Sequence, residues 1–316
     1  MVDTIWIELL NQYISSLKNK SDTIDSETGE VKYSVGYSGC IKVREVKGKM
    51  IIECSLPKLL KGDNIYSLNY FEVVMALQLI EEKLGISIMK GKIRRLDCEI
   101  TVESIYKPNT YFRYLGNSKY YTRKELQKTS LYYFNNSRVI NIYDKVKERK
   151  DKKEILPIEF EGKNLFRFEC RYRNTFLKSL AKKLFLKDFK VEDLINPLVF
   201  MNISEIILNE YRVIDKLNTL AIINFNNSAR SKSNLACNLS SLAIKYLGGV
   251  SKVEDILDAS RPYNKDVRSE YFSRRKKDLK YFVANSNMEL TQNFISEIDQ
   301  KIQEKHLLLL NSIQTQ

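Results

Sequence analysis

The stretch KIRRLDCEITVE, at residues 92–103, alternates polar and apolar side chains along its length. Successive side chains of a β-strand point to opposite faces of a sheet, so the alternation sorts these residues into two sets. One set is Leu96, Cys98, Ile100 and Val102, and the other is Arg95, Asp97, Glu99 and Thr101. The apolar set is suited to packing under helices. The stretch therefore predicts a strand of a one-sided, antiparallel sheet.

Similar β-type runs lie on both sides of this stretch, at residues 31–46, 49–56, 110–122, 130–146 and 156–173. One amphipathic helix interrupts them. Its start has the residues of a capping box, Asn69 and Glu72, and Gly85 is suited to end it. Strands, a helix and then more strands predict an α+β domain, and we place its boundaries at residues 1–174.

The pattern changes after Arg173, where helical periodicity dominates to the end of the chain. The predicted helices cover roughly residues 175–189, 192–214, 232–247, 251–260, 266–284 and 288–312, with Pro197 expected to interrupt the second. The sequence thus predicts a mainly α-helical second domain at residues 175–316.

The overall charge points to an anionic partner. Against 39 Asp and Glu the chain has 52 Lys and Arg, a formal net charge of +13, and nucleic acid is the foremost candidate. No apolar run approaches the roughly 20 residues of a membrane-spanning helix, and the N-terminus does not resemble a signal peptide. Five scattered cysteines without a C-x-x-C pair fit a reducing cytoplasm. A single histidine, His306, excludes paired-histidine metal sites, and we expect it to be solvated near a helix end.

Three runs place an acid directly before a cysteine: Glu53-Cys54, Asp97-Cys98 and Glu169-Cys170. In each run the cysteine shares the apolar face, so the acid belongs to the polar face. In VINIYDK, at residues 139–145, the same parity puts Tyr143 on the polar face with Asn141 and Lys145. If these strands form one sheet, carboxylates, a tyrosine and a lysine converge on one surface.

Such a surface suits metal-assisted phosphoryl transfer. Asp97, Glu169 and Glu53 are candidate oxygen ligands for Mg²⁺ or Mn²⁺. Tyr143 is a candidate nucleophile, and because a tyrosine has an ordinary pKa of about 10, it needs help to lose its proton. Lys145 is a candidate to lower that pKa or to hold the phosphate. Ordinary solvated sheet faces alternate in the same way, however, and the chain has 19 tyrosines, so a packing tyrosine on a solvated face remains the alternative.

Four segments carry a resemblance to a known family. They are ECSLPKLLKGDN at residues 53–64, IRRLDCE at 93–99, VINIYDK at 139–145 and LFRFECR at 165–171. In order and broad spacing they resemble motifs of the rolling-circle replication initiators of filamentous phages, the gene II protein family. The resemblance covers about residues 50–180.

The resemblance implies an enzyme that nicks and rejoins one DNA strand at a replicon origin in the cytoplasm of a bacterial host. Tyr143 would become joined to the 5′-phosphate, Asp97 and Glu169 would be the stronger metal ligands, and the 3′-OH would prime a host polymerase. A separate host helicase would open the duplex, because the chain has no P-loop. The residues expected at the DNA are Arg95, Arg167, Lys145, Lys58 and Arg171. A non-catalytic DNA-binding protein, or a transposon or mobilisation nickase, remains the alternative.

The helical half adds basic residues, with Arg274, Arg275 and Lys277 as further DNA-binding candidates. Phosphate contacts by these side chains would make the affinity fall steeply with salt. A helical packing domain with a basic surface explains the same residues equally well.

Overall fold

The structure is a computed structural model that describes residues 1–10, 14, 17–28, 30–46, 48–126, 129–216, 222–223, 232–247, 249–259, 269–284, 288–289 and 294–314. Backbone contacts divide the chain into two units. The first comprises Met1–Leu217 together with Ile295–Gln316, and the second is Asn218–Phe294.

A ten-stranded antiparallel sheet forms the centre of the first unit. Its strands are β1 (Val2–Leu10), β2 (Lys18–Ile24), β3 (Val31–Ser38), β4 (Ile41–Val46), β5 (Lys49–Ser55), β6 (Lys92–Ser104), β8 (Thr122–Leu126), β9 (Ser130–Phe134), β10 (Arg138–Asp144) and β11 (Asn164–Arg173). The strand order is β2-β3-β4-β5-β1-β6-β11-β10-β9-β8. A short strand, β7 (Leu115–Ser118), pairs separately with β12 (Ile214–Lys216).

The helices of the first unit are α1 (Leu56–Lys61), α2 (Tyr70–Leu84), α3 (Pro108–Tyr111), α4 (Lys145–Asp151), α5 (Asn174–Lys183), α6 (Val191–Leu194), α7 (Pro197–Arg212) and α11, which begins at the unit boundary (Phe294–Gln314). The capping box predicted for α2 is confirmed, because the side chains of Asn69 and Glu72 each accept a hydrogen bond from the backbone N–H of the other. Gly85 ends the helix with a left-handed φ of 65°.

The predicted α+β class is confirmed, and the strand predicted at residues 92–103 is β6, near the middle of the sheet. Strand β1 was not predicted from the sequence, yet it pairs with both β5 and β6. Its side chains Ile5, Ile7 and Leu9 are buried on the apolar face. The N-terminal strand therefore lies at the centre of the fold, where it holds together the two halves of the sheet.

The two units do not divide at residue 174, where the sequence predicted the domain boundary. The helices that follow β11 pack on the apolar face of the sheet. The ring of Phe176 in α5 stacks on Tyr172 at 4.7 Å, and Tyr211 in α7 meets Phe168 edge-on at 5.4 Å. Asp299 in α11 accepts a hydrogen bond of 2.6 Å from Tyr211. These helices cover the sheet and so belong to its unit.

His306 also differs from its expected position. It is 2% exposed in α11, and its Nε2 lies 3.6 Å from Glu205 Oε1. Burial lowers its pKa, more than the nearby carboxylate raises it.

The second unit contains α8 (Lys232–Tyr246), α9 (Val250–Ala259), α10 (Ser269–Ala284) and the short paired strands β13 (Ile222–Ile223) and β14 (Met288–Glu289). Within the described residues of the chain, no helix combines the length and the apolar character that a membrane crossing demands.

Candidate active site

A polar cleft of about 490 Å³ opens on the face of the sheet opposite α5 and α7. Its walls come from five neighbouring strands, β1, β6, β11, β10 and β9, from α4, and from the loop residues Asn64 and Thr129. The titratable residues that line it are Asp3, Arg95, Asp97, Tyr132, Tyr143, Asp144, Lys147, Glu148, Asp151, Lys152, Glu169 and Arg171. The structure thus brings together Tyr143, Asp97, Glu169, Arg95 and Arg171, as the parity of their strands predicted.

Tyr143 ends the run of polar-face residues in β10, and its side chain is 7% exposed. Its hydroxyl donates a hydrogen bond of 2.9 Å to Glu169 Oε2 on the neighbouring strand. Burial raises the pKa of the hydroxyl well above its usual value; the nearby Arg167 lowers it, and Glu169 raises it further. The phenol therefore keeps its proton and donates it in a hydrogen bond to Glu169, a carboxylate that can accept the proton.

Glu169 is the carboxylate best matched to that role. Burial raises its pKa to about 7, and the negative charges of Asp3 and Asp97 add to the effect. A group with this pKa exchanges a proton readily near neutral pH, as a general base must. Burial of the Glu169 carboxyl is thus the main cause of its raised pKa, and the neighbouring acids are the second.

Asp97 lies beside Glu169 but has different partners. Its two oxygens accept hydrogen bonds from Arg95, and Oδ2 also accepts one of 3.2 Å from Arg171 Nε. The guanidinium of Arg95 stacks over the ring of Trp6 at 5.0 Å, which fixes its position. The two arginines hold Asp97 in the wall of the cleft and, being partly exposed, present positive charge to the solvent.

Asp3 is a cleft residue that was not predicted from the sequence. In β1 it precedes Thr4, and strict alternation assigns it to the apolar face with Ile5. The pairing of β1 with β6 contains an irregularity between Val2 and Thr4, however, which turns Asp3 into the cleft. Burial raises its pKa, while Arg167 partly offsets the effect. No pattern in the sequence indicates such a bulge.

Arg167 was expected at the DNA, but its side chain is fully buried. Its Nε donates to Thr101 Oγ1 at 2.8 Å, and the guanidinium lies 3.6 Å from Glu99 and 4.0 Å from Asp3. Arg167 faces Tyr143 across the β10–β11 pair. It is therefore an internal counter-ion beneath the tyrosine, out of reach of a phosphate.

Lys145 also differs from the expectation that it shares a strand face with Tyr143. Asp144 caps α4 by accepting a hydrogen bond from the backbone of Lys147, so β10 ends there and Lys145 begins a helix. The ammonium is buried and donates to Asn64 at 3.1 Å and to Glu148 at 2.9 Å. Burial lowers its pKa. Arg167 is the main cation that lowers the pKa of Tyr143, and Lys145 Nζ lies 6.0 Å from the centroid of the Tyr143 ring.

Two more predicted site residues lie outside this cleft. Glu53 is half-buried on β5, opposite Trp6 and two strands from Asp97, and does not line the cleft. Lys58 in α1 pairs with Glu154 at 3.0 Å and lines a separate, open cleft. In the second unit, Arg274, Arg275 and Lys277 are exposed on α10.

The lining of the cleft fits the chemistry of a divalent cation. It carries six carboxylates (Asp3, Asp97, Asp144, Glu148, Asp151 and Glu169) against four cationic side chains (Arg95, Lys147, Lys152 and Arg171). Asn141 faces Glu169, and its buried Oδ1 has no hydrogen-bond partner in the structure. Hard oxygen donors of this kind suit Mg²⁺ or Mn²⁺. The described residues nevertheless contain no group of three Asp, Glu, His or Cys side chains already arranged to hold a metal.

The comparison with known families matches the part of the chain that contains the sheet and the cleft. A family model for the N-terminal part of the replication-associated protein of the phage gene II type matches residues 1–192. The match covers more than half of the chain and includes the whole ten-stranded sheet and every residue of the cleft. No curated protein matches the chain significantly.

Proposed function

Because the chain belongs to the family of replication-associated proteins of the phage gene II type, we propose that it initiates rolling-circle replication by nicking one DNA strand through Tyr143. The substrate would be a double-stranded replicon origin with a locally exposed single strand. The observation that carries the proposal is the 2.9 Å hydrogen bond from the Tyr143 hydroxyl to Glu169, inside a cleft that Arg95 and Arg171 also line.

The chemistry of strand transfer follows from these positions. Glu169 takes the phenolic proton as the Tyr143 oxygen attacks phosphorus. The bond from phosphorus to the 3′-oxygen breaks, that oxygen takes a proton from water, and the 5′-phosphate stays joined to Tyr143. Rejoining reverses the order: a 3′-OH returns its proton to the solvent as its oxygen attacks the phosphotyrosine, the bond from phosphorus to the Tyr143 oxygen breaks, and Glu169 returns the proton to the leaving phenol.

Other side chains position the two reactants. Arg167 lies beneath Tyr143 and favours the phenolate that forms during attack. Arg95 and Arg171 can exchange part of their interaction with Asp97 for the phosphate oxygens, which a guanidinium binds in the same two-pronged way. Because this exchange keeps the arginines paired, it limits the cost of removing their charge from water.

A divalent cation would complete the charge balance of the cleft. Asp3, Asp97, Glu169 and Asn141 are the residues that would hold it. When bound, Mg²⁺ or Mn²⁺ supplies Lewis-acid polarisation of a phosphate oxygen and offsets the negative charge of the transition state. The cleft has six carboxylates against four cationic side chains, and such a cation would offset this difference in formal charge.

The test is the formation of a protein–DNA adduct. The protein is incubated with labelled single-stranded fragments of its replicon and Mg²⁺ or Mn²⁺, and products are separated on a denaturing gel. We expect an adduct with the parent protein and none with Tyr143→Phe, while both bind DNA. Tyr133→Phe is the matched control, because Tyr133 lies on the opposite face with its hydroxyl bonded to Gly116. An adduct that survives in Tyr143→Phe would refute the assignment.

A further inference from the structure

The polar face of the sheet continues beyond the catalytic cleft along β9. Tyr132 lies opposite Asn141 and lines the cleft, whereas Phe134, two residues further along the same face, lies opposite Val139. Two residues of a strand span about 7 Å. Phe134 lines a second, shallow cleft together with Tyr120 and Arg173. The two clefts therefore follow one another along the sheet.

The aromatic rings of this continuation are exposed. Phe134 is 38% exposed and Tyr120 is 75% exposed. Tyr120 has a φ of 71°, in the left-handed region that a bulky residue rarely adopts. Backbone strain of this kind concentrates at functional sites and ligand clamps. Lys119 Nζ lies 5.0 Å from the centroid of the Tyr120 ring, and most of the ring surface stays exposed to a ligand.

Cationic side chains lie beside these rings. Lys124 faces Tyr132 across the β8–β9 pair, and Arg173 follows Arg171 on the same face of β11. Both Lys124 and Arg173 are exposed, and neither forms an ion pair with any residue that the structure describes. In the catalytic cleft, by contrast, Arg95 and Arg171 both form ion pairs with Asp97.

We propose that Tyr132, Phe134 and Tyr120, with Lys124 and Arg173, form a path for single-stranded DNA that leads away from Tyr143. Bases stack on the rings, and phosphates meet the two cations. Duplex DNA does not fit this chemistry, because its base faces are already stacked on each other. The proposal deepens the proposed function and rests on it for the identity of the strand that enters the cleft.

The test measures binding separately from strand cleavage. The full chain with Tyr143→Phe is titrated into a fluorescent oligodeoxythymidylate of about 20 nucleotides in EDTA, and anisotropy is recorded. We expect Phe134→Leu and Tyr120→Leu each to weaken binding by about 5- to 150-fold, because each variant loses the stacking of one base. Phe134→Tyr, which keeps a ring, should bind more tightly than Phe134→Leu. Lys124→Gln and Arg173→Gln should each reduce the salt slope by about 0.7.

The matched control is Tyr37→Leu, since Tyr37 is a 40%-exposed tyrosine of the same sheet on β3, far from the path in strand order. Unchanged binding by the Phe134 and Tyr120 variants, an equal loss in Tyr37→Leu, or an equal loss of affinity for a blunt duplex would each overturn the path. Adduct formation with Tyr143 present is measured in parallel. If the parent forms no adduct but Phe134→Leu still loses oligonucleotide binding, the nickase proposal fails and the path stands.

Discussion

The hydroxyl of Tyr143 lies 2.9 Å from Glu169 Oε2, across the pairing of β10 with β11. The phenol is the donor, and burial raises the pKa of both partners, that of Glu169 to about 7. A proton can therefore move from the first group to the second when the phenolic oxygen attacks. Arg167 beneath the ring offsets part of the cost of the phenolate.

Glu169→Gln should lower the rate of adduct formation by roughly 10²- to 10⁴-fold. The amide still accepts the hydrogen bond from Tyr143 but cannot take its proton. Single-turnover kinetics at saturating oligonucleotide would measure the change without the contribution of binding. A rate within a few-fold of the parent would exclude Glu169 as the base.

The same variant should change how stability depends on pH. The pKa of Glu169 is about 7 in the folded protein against its ordinary 4.5, so the folded state holds the proton more tightly than the unfolded state. The parent should lose stability as the pH rises from about 4.5 to 7, and Glu169→Gln should not, gaining up to about 3 kcal/mol over the parent above pH 7. Urea unfolding in EDTA at several pH values tests this. Glu103→Gln, at an exposed carboxylate, is the control, and parallel curves for parent and Glu169→Gln would contradict the prediction.

Asp3→Asn and Glu53→Gln compare two carboxylates of which only the first lines the cleft. We expect Asp3→Asn to weaken Mn²⁺ binding and to slow nicking, each on the order of 10- to 100-fold, because it removes a charged oxygen from the cation site. Glu53→Gln should leave both unchanged. Titration calorimetry with Mn²⁺ and plasmid nicking measure the two effects. A larger loss in the Glu53 variant would move the cation site toward β5.

Arg167→Met should destabilise the fold by roughly 3–5 kcal/mol, because it leaves the fully buried Glu99 and the nearly buried Asp3 without their main counter-charge. The exposed Arg173→Met should change the free energy of unfolding by no more than about 0.5 kcal/mol. Denaturant unfolding of both variants measures these two changes in the free energy of unfolding. Equal stability of the two would show that Arg167 is not the internal counter-ion.

Arg274→Gln and Lys277→Gln on α10 should lower affinity for duplex DNA and reduce the salt slope by about 0.9 for each phosphate that the variant no longer neutralises. Lys276 is the neighbouring control, because its ammonium already pairs with Asp258 at 2.7 Å. Filter binding over a range of salt concentrations measures the slope. If Lys276→Gln matches the other two variants, the effect reflects net charge alone, without phosphate binding by particular residues.

The amino-acid sequence by itself determined the α+β class, β6, α2 with its caps, and the face on which Asp97, Tyr143 and Glu169 lie. These features depend on local periodicity, which a strand keeps as long as its pairing is regular. The sequence also indicated the family, through short motifs that lie on those same strands.

Only the tertiary structure decided the rest. The helix that starts at Lys145 breaks the alternation of its strand, so parity assigned Lys145 to the wrong environment, and the bulge at Asp3 places in the cleft a residue that the sequence did not single out. Arg167 and Glu53 share the polar parity of the site, yet Arg167 is fully buried and Glu53 lies two strands from Asp97. Periodicity predicts to which face of a sheet a side chain points. The burial of that side chain and its distance from other site residues depend on which strands are neighbours. Strand order is set by contacts between residues far apart in the chain.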